Sequence, residues 1–592
     1  MPALIIHHRV SIPAPATHLV HVESTISKDG ESLPESLVLF MPVWTPGSYL
    51  VREYARHIEG FQVAPPSRAA KIRKNAWRID TQRGASIIVR YRLYAAELTV
   101  RTSHIDETHA FLVGAAVFLG VEGHGDVGAT IELETAASWR IATPLSRVSR
   151  GSGRLHRLEA PDFETLVDSP IELGTHLERT FDVLGIPHRY AICPLIADED
   201  AKRLVDDTKT IVEVEASLFG GSLPYESYDL LLHLSPRGRG GLEHSCSAAL
   251  IAPQSSFATR EGYLDLLSLI AHEVFHAWNI KRIRPAGLTP YRYDEECYTR
   301  LLWWFEGATS YYDWRVLALS RLCSIDEYLE HFAGELAYLD QTQGRLVQSL
   351  EDASFDAWIK LYRPDENSSN SGVSYYRKGE IVCALLDIEL RARTGGATTL
   401  DTTLKHLWDE YGRRARPIPE EGMQAIFEDA AGTELGDLFD AWIRTPTEID
   451  YGRTLARVGL AVERSVRTDA PRSSLGVRVR ADGGRSIVAA VTRDTAAWRA
   501  GIDVGDEIVA VGATRVEAAN LDPALRDRAP GESVDVLVSR DGRLTTKSVT
   551  LDAARLDRVR IVPMRDATPP ARGAFEAWMR LPLPAAKVTG AS

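Results

Sequence analysis

His272-Glu273-Val274-Phe275-His276 restricts the fold of this 592-residue chain more than any other run. Two imidazoles four residues apart on a helix lie one above the other on the same face, so both can reach a single cation. The carboxylate between them points to the side, where it can take a proton from a water on that cation without ligating it. The run sits within Tyr263 to Ile280, which contains neither Gly nor Pro and reads as a largely buried helix. An apolar helix of this kind excludes bulk water and strengthens electrostatic effects on whatever it binds.

A catalytic zinc usually takes three protein ligands and keeps one position for water. The third donor should come from Leu301-Leu-Trp-Trp-Phe-Glu306-Gly-Ala-Thr-Ser-Tyr-Tyr-Asp313-Trp314, a second apolar, helix-forming stretch. A carboxylate set among Trp303, Trp304 and Phe305 costs several kcal/mol to bury unless a cation accompanies it, which makes Glu306 the expected ligand. Asp313, seven residues on, is placed to orient a ligand imidazole.

Together, the His272-Glu-x-x-His276 run and the aromatic-Glu-Gly helix resemble the gluzincins, thermolysin-like metallopeptidases whose third ligand is a Glu on a following helix. The longer string His272-Glu-Val-Phe-His-Ala-Trp-Asn-Ile-Lys-Arg-Ile-Arg-Pro285 is similar to the glycyl aminopeptidase family, which often carries a C-terminal PDZ domain. The interval from His276 to Glu306 is longer than in alanyl-aminopeptidase relatives, and an insertion containing Pro285 and Pro290 accounts for it. Asn279, Lys281, Arg282 and Arg284 belong to the family string without assignable chemistry, so structural roles are the default.

Two more segments resemble that family. Gly240-Gly241-Leu242-Glu243-His244 follows the apolar, strand-like Tyr228 to Leu234 and resembles the Gly-x-Met-Glu-Asn exopeptidase segment. The resemblance implies that Gly240, Gly241 and His244 lie along the substrate while Glu243 holds its free α-amino group; Leu242 and His244 depart from the wider pattern. A carboxylate paired with the substrate ammonium fixes which peptide bond meets the metal. Tyr375-Tyr376-Arg377-Lys378-Gly379 resembles the Tyr-x-Lys-Gly segment whose Tyr hydrogen-bonds the oxyanion. Its register selects Tyr376, with Tyr375 one place off. A phenol donates at neutral pH and brings no charge.

The resemblance implies one Zn2+ per chain on His272, His276 and Glu306, with Glu273 as general base. It also implies cleavage behind small N-terminal residues such as Gly or Ala. A metallo-endopeptidase in which Glu243 binds no amine is the alternative reading. A PDZ peptide-binding protein with an inactive metal site is a third, disfavoured because every ligand and the base are present.

The expected fold class is multidomain α+β. Residues 1–175 read as a β-sandwich-like domain of short alternating runs such as His18 to Ile26, Leu37 to Val43 and Ala85 to Leu93. Residues 176–455 read as a thermolysin-like zinc peptidase domain with a helical half, in which Thr399 is a helix N-cap. Short strands return over 456–555, where Ser474-Leu475-Gly476-Val477 and Ala500-Gly501-Ile-Asp-Val-Gly505-Asp506 resemble a PDZ carboxylate loop and its partner segment. That loop is expected to receive a peptide C-terminus, which adds as a strand. Residues 556–592 form a tail rich in Pro, Ala and Arg, expected to be irregular outside Gly573 to Met579.

A 44% hydrophobic content supports full cores, and the net charge of −13 without a concentrated basic stretch excludes nucleic acid as the main partner. Five cysteines without metal-site spacing read as reduced thiols. With no signal-like start and no span of 18 apolar residues, the cytoplasm is the expected compartment, and the periplasm or the exterior if a leader has been removed. Quaternary state is not legible.

Overall fold

The computed structural model describes residues 4–586 except 137, 151–154, 237, 468, 469, 518 and 519. The chain divides into two compact units. One comprises Met1–Thr299, Tyr312–Leu322 and Leu404–Gly422; the other comprises Arg300–Tyr311, Cys323–Thr403 and Met423–Ser592. No helix among the described residues is long and apolar enough to cross a membrane.

The first unit begins with β-structure. Leu4–Ser11, Leu19–Lys28 and Ser86–Tyr94 are neighbours in a seven-stranded sheet. Their burial alternates residue by residue, the period of two that puts Val20, Val22, Ile26, Ile87, Val89 and Tyr91 on one buried face. Sheets of five and four strands complete this part. The loop holding Trp44, Gly47 and Tyr49 is buried.

A five-stranded sheet follows in the spatial order Leu177–Val183, Ile186–Cys193, Tyr228–Leu234, Ser247–Ala252, Gly240–Glu243. The three middle strands are parallel, and Tyr228–Leu234 is buried at every position. Such a run, apolar except for Asp229 and His233, suits a strand covered on both faces. Gly240–Glu243 pairs antiparallel with Ser247–Ala252 and forms the edge. Against this sheet pack the helices Asp198–Leu218 and Arg260–Phe275. The second is N-capped by Thr259, whose hydroxyl accepts from Gly262 N.

That helix stops at Phe275 rather than continuing to Ile280 as its apolar sequence suggests. His276 Nδ1 engages the Asn279 carbonyl at 2.8 Å, and Ile280 turns to φ 106°. No Gly or Pro announces the turn, and a β-branched residue at positive φ is costly.

The second unit is built around the helix Tyr375–Arg393, of which 14 of 19 residues are buried, so that it packs on all sides. Leu302–Phe305 crosses it at two glycines. A Cβ on Gly307 would sit 2.5 Å from Gly379 Cα, and one on Gly379 would sit 2.7 Å from the Trp303 carbonyl oxygen. These backbones therefore touch, which sets Glu306 against the start of the Tyr375 helix. Gly379→Ala should cost about 1–3 kcal/mol of unfolding free energy by overpacking, measured by urea denaturation. A loss below about 0.5 kcal/mol would contradict the close crossing.

Asp387, fully buried in the same helix, accepts from Tyr311 Oη (2.7 Å), Arg391 Nε (2.9 Å) and Leu400 N (2.9 Å). Thr399 Oγ1 accepts from Thr402 N, the expected cap. A six-stranded sheet follows, with Val477–Asp482 at its edge and a core of Leu475, Val488, Ile508, Val511, Val536 and Val549.

The C-terminal stretch is more regular than its composition suggests. Arg558–Pro563 pairs antiparallel with Leu460–Ser465, and the helix Pro569–Met579 buries Phe575, Trp578 and Met579. Trp578 Nε1 donates to Tyr311 Oη at 2.8 Å.

Candidate active site

In the first unit, His272 and His276 lie one helical turn apart with ring centroids separated by 4.7 Å. Each ring is oriented through Nδ1: His272 by Asp313 Oδ2 at 3.2 Å, His276 by the Asn279 carbonyl at 2.8 Å. A partner on Nδ1 fixes the tautomer and directs Nε2 to the ligating side. Behind this pair, Glu215 is fully buried, and neither of its carboxylate oxygens has a hydrogen-bond partner among the described residues. Burial, reinforced by the Asp313 charge and opposed by His272, raises its pKa well above the ordinary carboxyl range. Nothing in the sequence around Glu215 announced it.

Glu273 and Glu243 are both buried, and each faces a glycine. A Cβ on Gly241 would overlap Glu273 Oε1, and one on Gly47 would overlap Glu243 Oε2. Gly47 also has φ +85°, so an L side chain is disfavoured there on two counts. Ligand atoms of Glu243, Glu273 and His276 lie within 4.8 Å of one another. Glu243 Oε1 is buried and has no hydrogen-bond partner among the described residues. Arg101 donates to the Gly241 carbonyl at 3.3 Å and steadies the edge strand.

His244 is turned from this cluster. Its Nδ1 meets Asp168 Oδ1 at 3.1 Å, while Lys281 Nζ reaches the same oxygen at 2.7 Å and Ser245 N reaches Oδ2 at 2.8 Å. Despite its burial, Asp168 is held well below the usual carboxylate range by Lys281 and His244. Arg282 Nη1 donates to the Ser245 carbonyl at 2.9 Å, and Arg284 Nη2 to Glu164 Oε1 at 2.5 Å. The cations of the family string thus lock the turn after the His helix to the turn after Glu243. This network joins segments more than a hundred residues apart, which the sequence reading left unpaired.

In the second unit, Glu306 is 2% exposed beside fully buried Trp304 and Phe305. Helical hydrogen bonds run on through it, from Glu306 N to the Leu302 carbonyl and from Ser310 N to the Glu306 carbonyl, both 2.8 Å. Tyr375 and Tyr376 stack with centroids 4.8 Å apart. Tyr375 is fully buried, whereas Tyr376 keeps surface and its hydroxyl lies 3.3 Å from that of Tyr362. Burial, then the negative charge of Glu306, raises the Tyr376 phenol well above its ordinary range, which keeps it a donor. In the six-stranded sheet, Gly476 adopts φ +79° between Leu475 and Val477. The Leu475 and Gly476 carbonyls accept from Ala497 N (2.8 Å) and Thr492 N (2.9 Å).

Residues 7–175 match the peptidase M61 N-terminal domain, 265–382 the M61 glycyl aminopeptidase and 473–551 the PDZ domain. A search of the curated proteins returns no match. Among solved structures, an aminopeptidase N family protein from Idiomarina loihiensis is similar over 97% of this chain and 100% of its own, with 27% identity and a TM-score of 0.90. An M1 zinc metallopeptidase from Deinococcus radiodurans is 16% identical over 76% of this chain and 95% of its own, with a TM-score of 0.47.

Fold and motif together define a zinc metallopeptidase of the aminopeptidase class. The chain carries the M61 N-terminal domain and the M61 glycyl aminopeptidase domain, with a PDZ domain after them.

Proposed function

We propose that this chain removes small N-terminal residues, Gly or Ala, from peptides, using one Zn2+ held by His272, His276 and Glu306. The observation that carries the reading is the pair of imidazoles one helical turn apart, with ring centroids separated by 4.7 Å. Both imidazoles are oriented through Nδ1, as zinc-ligating histidines usually are. Glu306 and Asp313 stand seven residues, two turns, apart on one helical run, so the residue that orients His272 shares a face with the third ligand. Bound zinc supplies Lewis acidity and lowers the pKa of water.

The chain's own residues do the rest. Glu273 takes the proton of the attacking water and returns it to the leaving amine. Tyr376 donates to the carbonyl oxygen as negative charge gathers there. Glu243 pairs with the substrate ammonium through the carboxylate oxygen that has no hydrogen-bond partner among the described residues. Gly240 and Gly241 let the substrate backbone lie close to the edge strand, and His244 holds the end of that strand through Asp168. The preference for small residues is supported by the family's description and by the backbones of Gly47 and Gly241, which press on Glu243 and Glu273.

In the PDZ domain, the loop Leu475–Gly476–Val477 is proposed to take a peptide C-terminus, with the peptide pairing along Val477–Asp482. That strand's position at the sheet edge supports the reading.

The activity is tested with matched peptides carrying a free or an acetylated N-terminal glycine. The free peptide should lose its first residue at least about 100-fold faster, the effect of removing one partner from a buried charge pair. Equal cleavage of both, at an internal bond, would make the protein an endopeptidase.

A further inference from the structure

We propose that His109, Glu172 and His233 form a second metal site, for Zn2+ or a divalent cation of similar ligand preference, with the Cys193 thiol on the strand beside His233 as the fourth donor. Strands His109–Leu112 and Ile171–Gly174 pair antiparallel within the N-terminal β-structure. Tyr228–Leu234 and Ile186–Cys193 pair in parallel within the catalytic sheet, with Cys193 opposite His233. The four side chains thus come from two sheets of the same unit and meet where those sheets adjoin.

Glu172 bridges the two imidazoles, Oε1 to His109 Nδ1 at 3.1 Å and Oε2 to His233 Nε2 at 2.9 Å. Exposure is 5% for His109 and 1% for both Glu172 and His233, and one ligand atom from each lies within 4.8 Å of the others. Cys193 stands beside His233, paired with it across two parallel strands. Nearby His176 is buried, and neither of its ring nitrogens has a hydrogen-bond partner among the described residues.

A carboxylate this deep needs a cation. With no ion bound, His109 supplies it: burial works against the charge, but Cys193 and Glu172 push its pKa up to about 10, and a bound ion would take the place of that proton. Tetrahedral zinc with arms of about 2.0–2.1 Å holds its nitrogen and oxygen ligands about 3.3 Å apart, a few tenths of an ångström beyond the separations here. Two neutral imidazoles, one carboxylate and one thiolate would leave a Zn2+ site without net charge, the state that burial favours. Such a site would staple the β-domain strands to the catalytic sheet, a structural rather than a catalytic role.

The test counts metal in the full-length protein after zinc loading and desalting. Wild type should hold two zinc ions per chain, and His272→Ala and His233→Gln one each. In His272→Ala, a chelator should also lower the melting temperature by several degrees. His272→Ala holding none, with wild type holding one, would overturn the proposal; this comparison decides even if His233→Gln fails to fold. One zinc kept in His272→Ala and lost in His233→Gln would leave this site standing and overturn the active-site reading instead.

Discussion

Glu273→Gln should lower kcat on a glycine-initiated peptide about 10³-fold, within the 10²–10⁴ range typical of general acid–base groups, while zinc content stays that of wild type. Glutamine preserves the volume that Gly241 leaves for this side chain but cannot accept the water proton. The side chain is also buried, so bulk buffer has little access to replace it. Turnover and metal content measured on the same preparation decide the matter. Activity within a factor of ten of wild type, at full zinc, would remove Glu273 from the role of base.

The second large effect is expected at Glu243. Truncating one member of a buried charge pair costs about 2–5 kcal/mol, so Glu243→Ala should reduce kcat/KM on free peptides by roughly 30-fold or more. It should also erase most of the discrimination between free and acetylated peptides, which a merely structural glutamate would not do. Zinc content should be unchanged, because Glu243 pairs with the substrate rather than the metal. An acetylated substrate still rejected by Glu243→Ala would assign amine recognition to another residue.

The candidate site was more legible in the sequence than its scaffolding. His272, His276, Glu273 and Glu306 were readable because helical spacing and an apolar setting are local properties of the chain. Asp313 could be reached the same way, seven residues from Glu306. Asp168 with Lys281 and His244 could not, since nothing local records which distant carboxylate will meet a buried lysine. The end of the His helix was misplaced because Ile280 takes a positive φ that its residue type gives no reason to expect.

At the C-terminus, by contrast, a signal was present and misread. Pro569 and Pro570 suggest irregular chain by composition, yet they follow Thr568, whose side chain accepts from Ala571 N, and occupy the first helical positions, where the missing N–H costs nothing. Arg558–Pro563 likewise alternates, with Val559 and Ile561 buried between exposed arginines. Its partner, Leu460–Ser465, lies on the other side of the PDZ segment in sequence, so the pairing was out of reach of local pattern.

The most direct measurement is the anomalous difference density at the zinc edge from crystals of zinc-loaded protein. The account predicts a peak with His272 Nε2, His276 Nε2 and a Glu306 carboxylate oxygen each about 2.0–2.2 Å away. A peak more than about 4 Å from Glu306, completed by another protein donor, would contradict it.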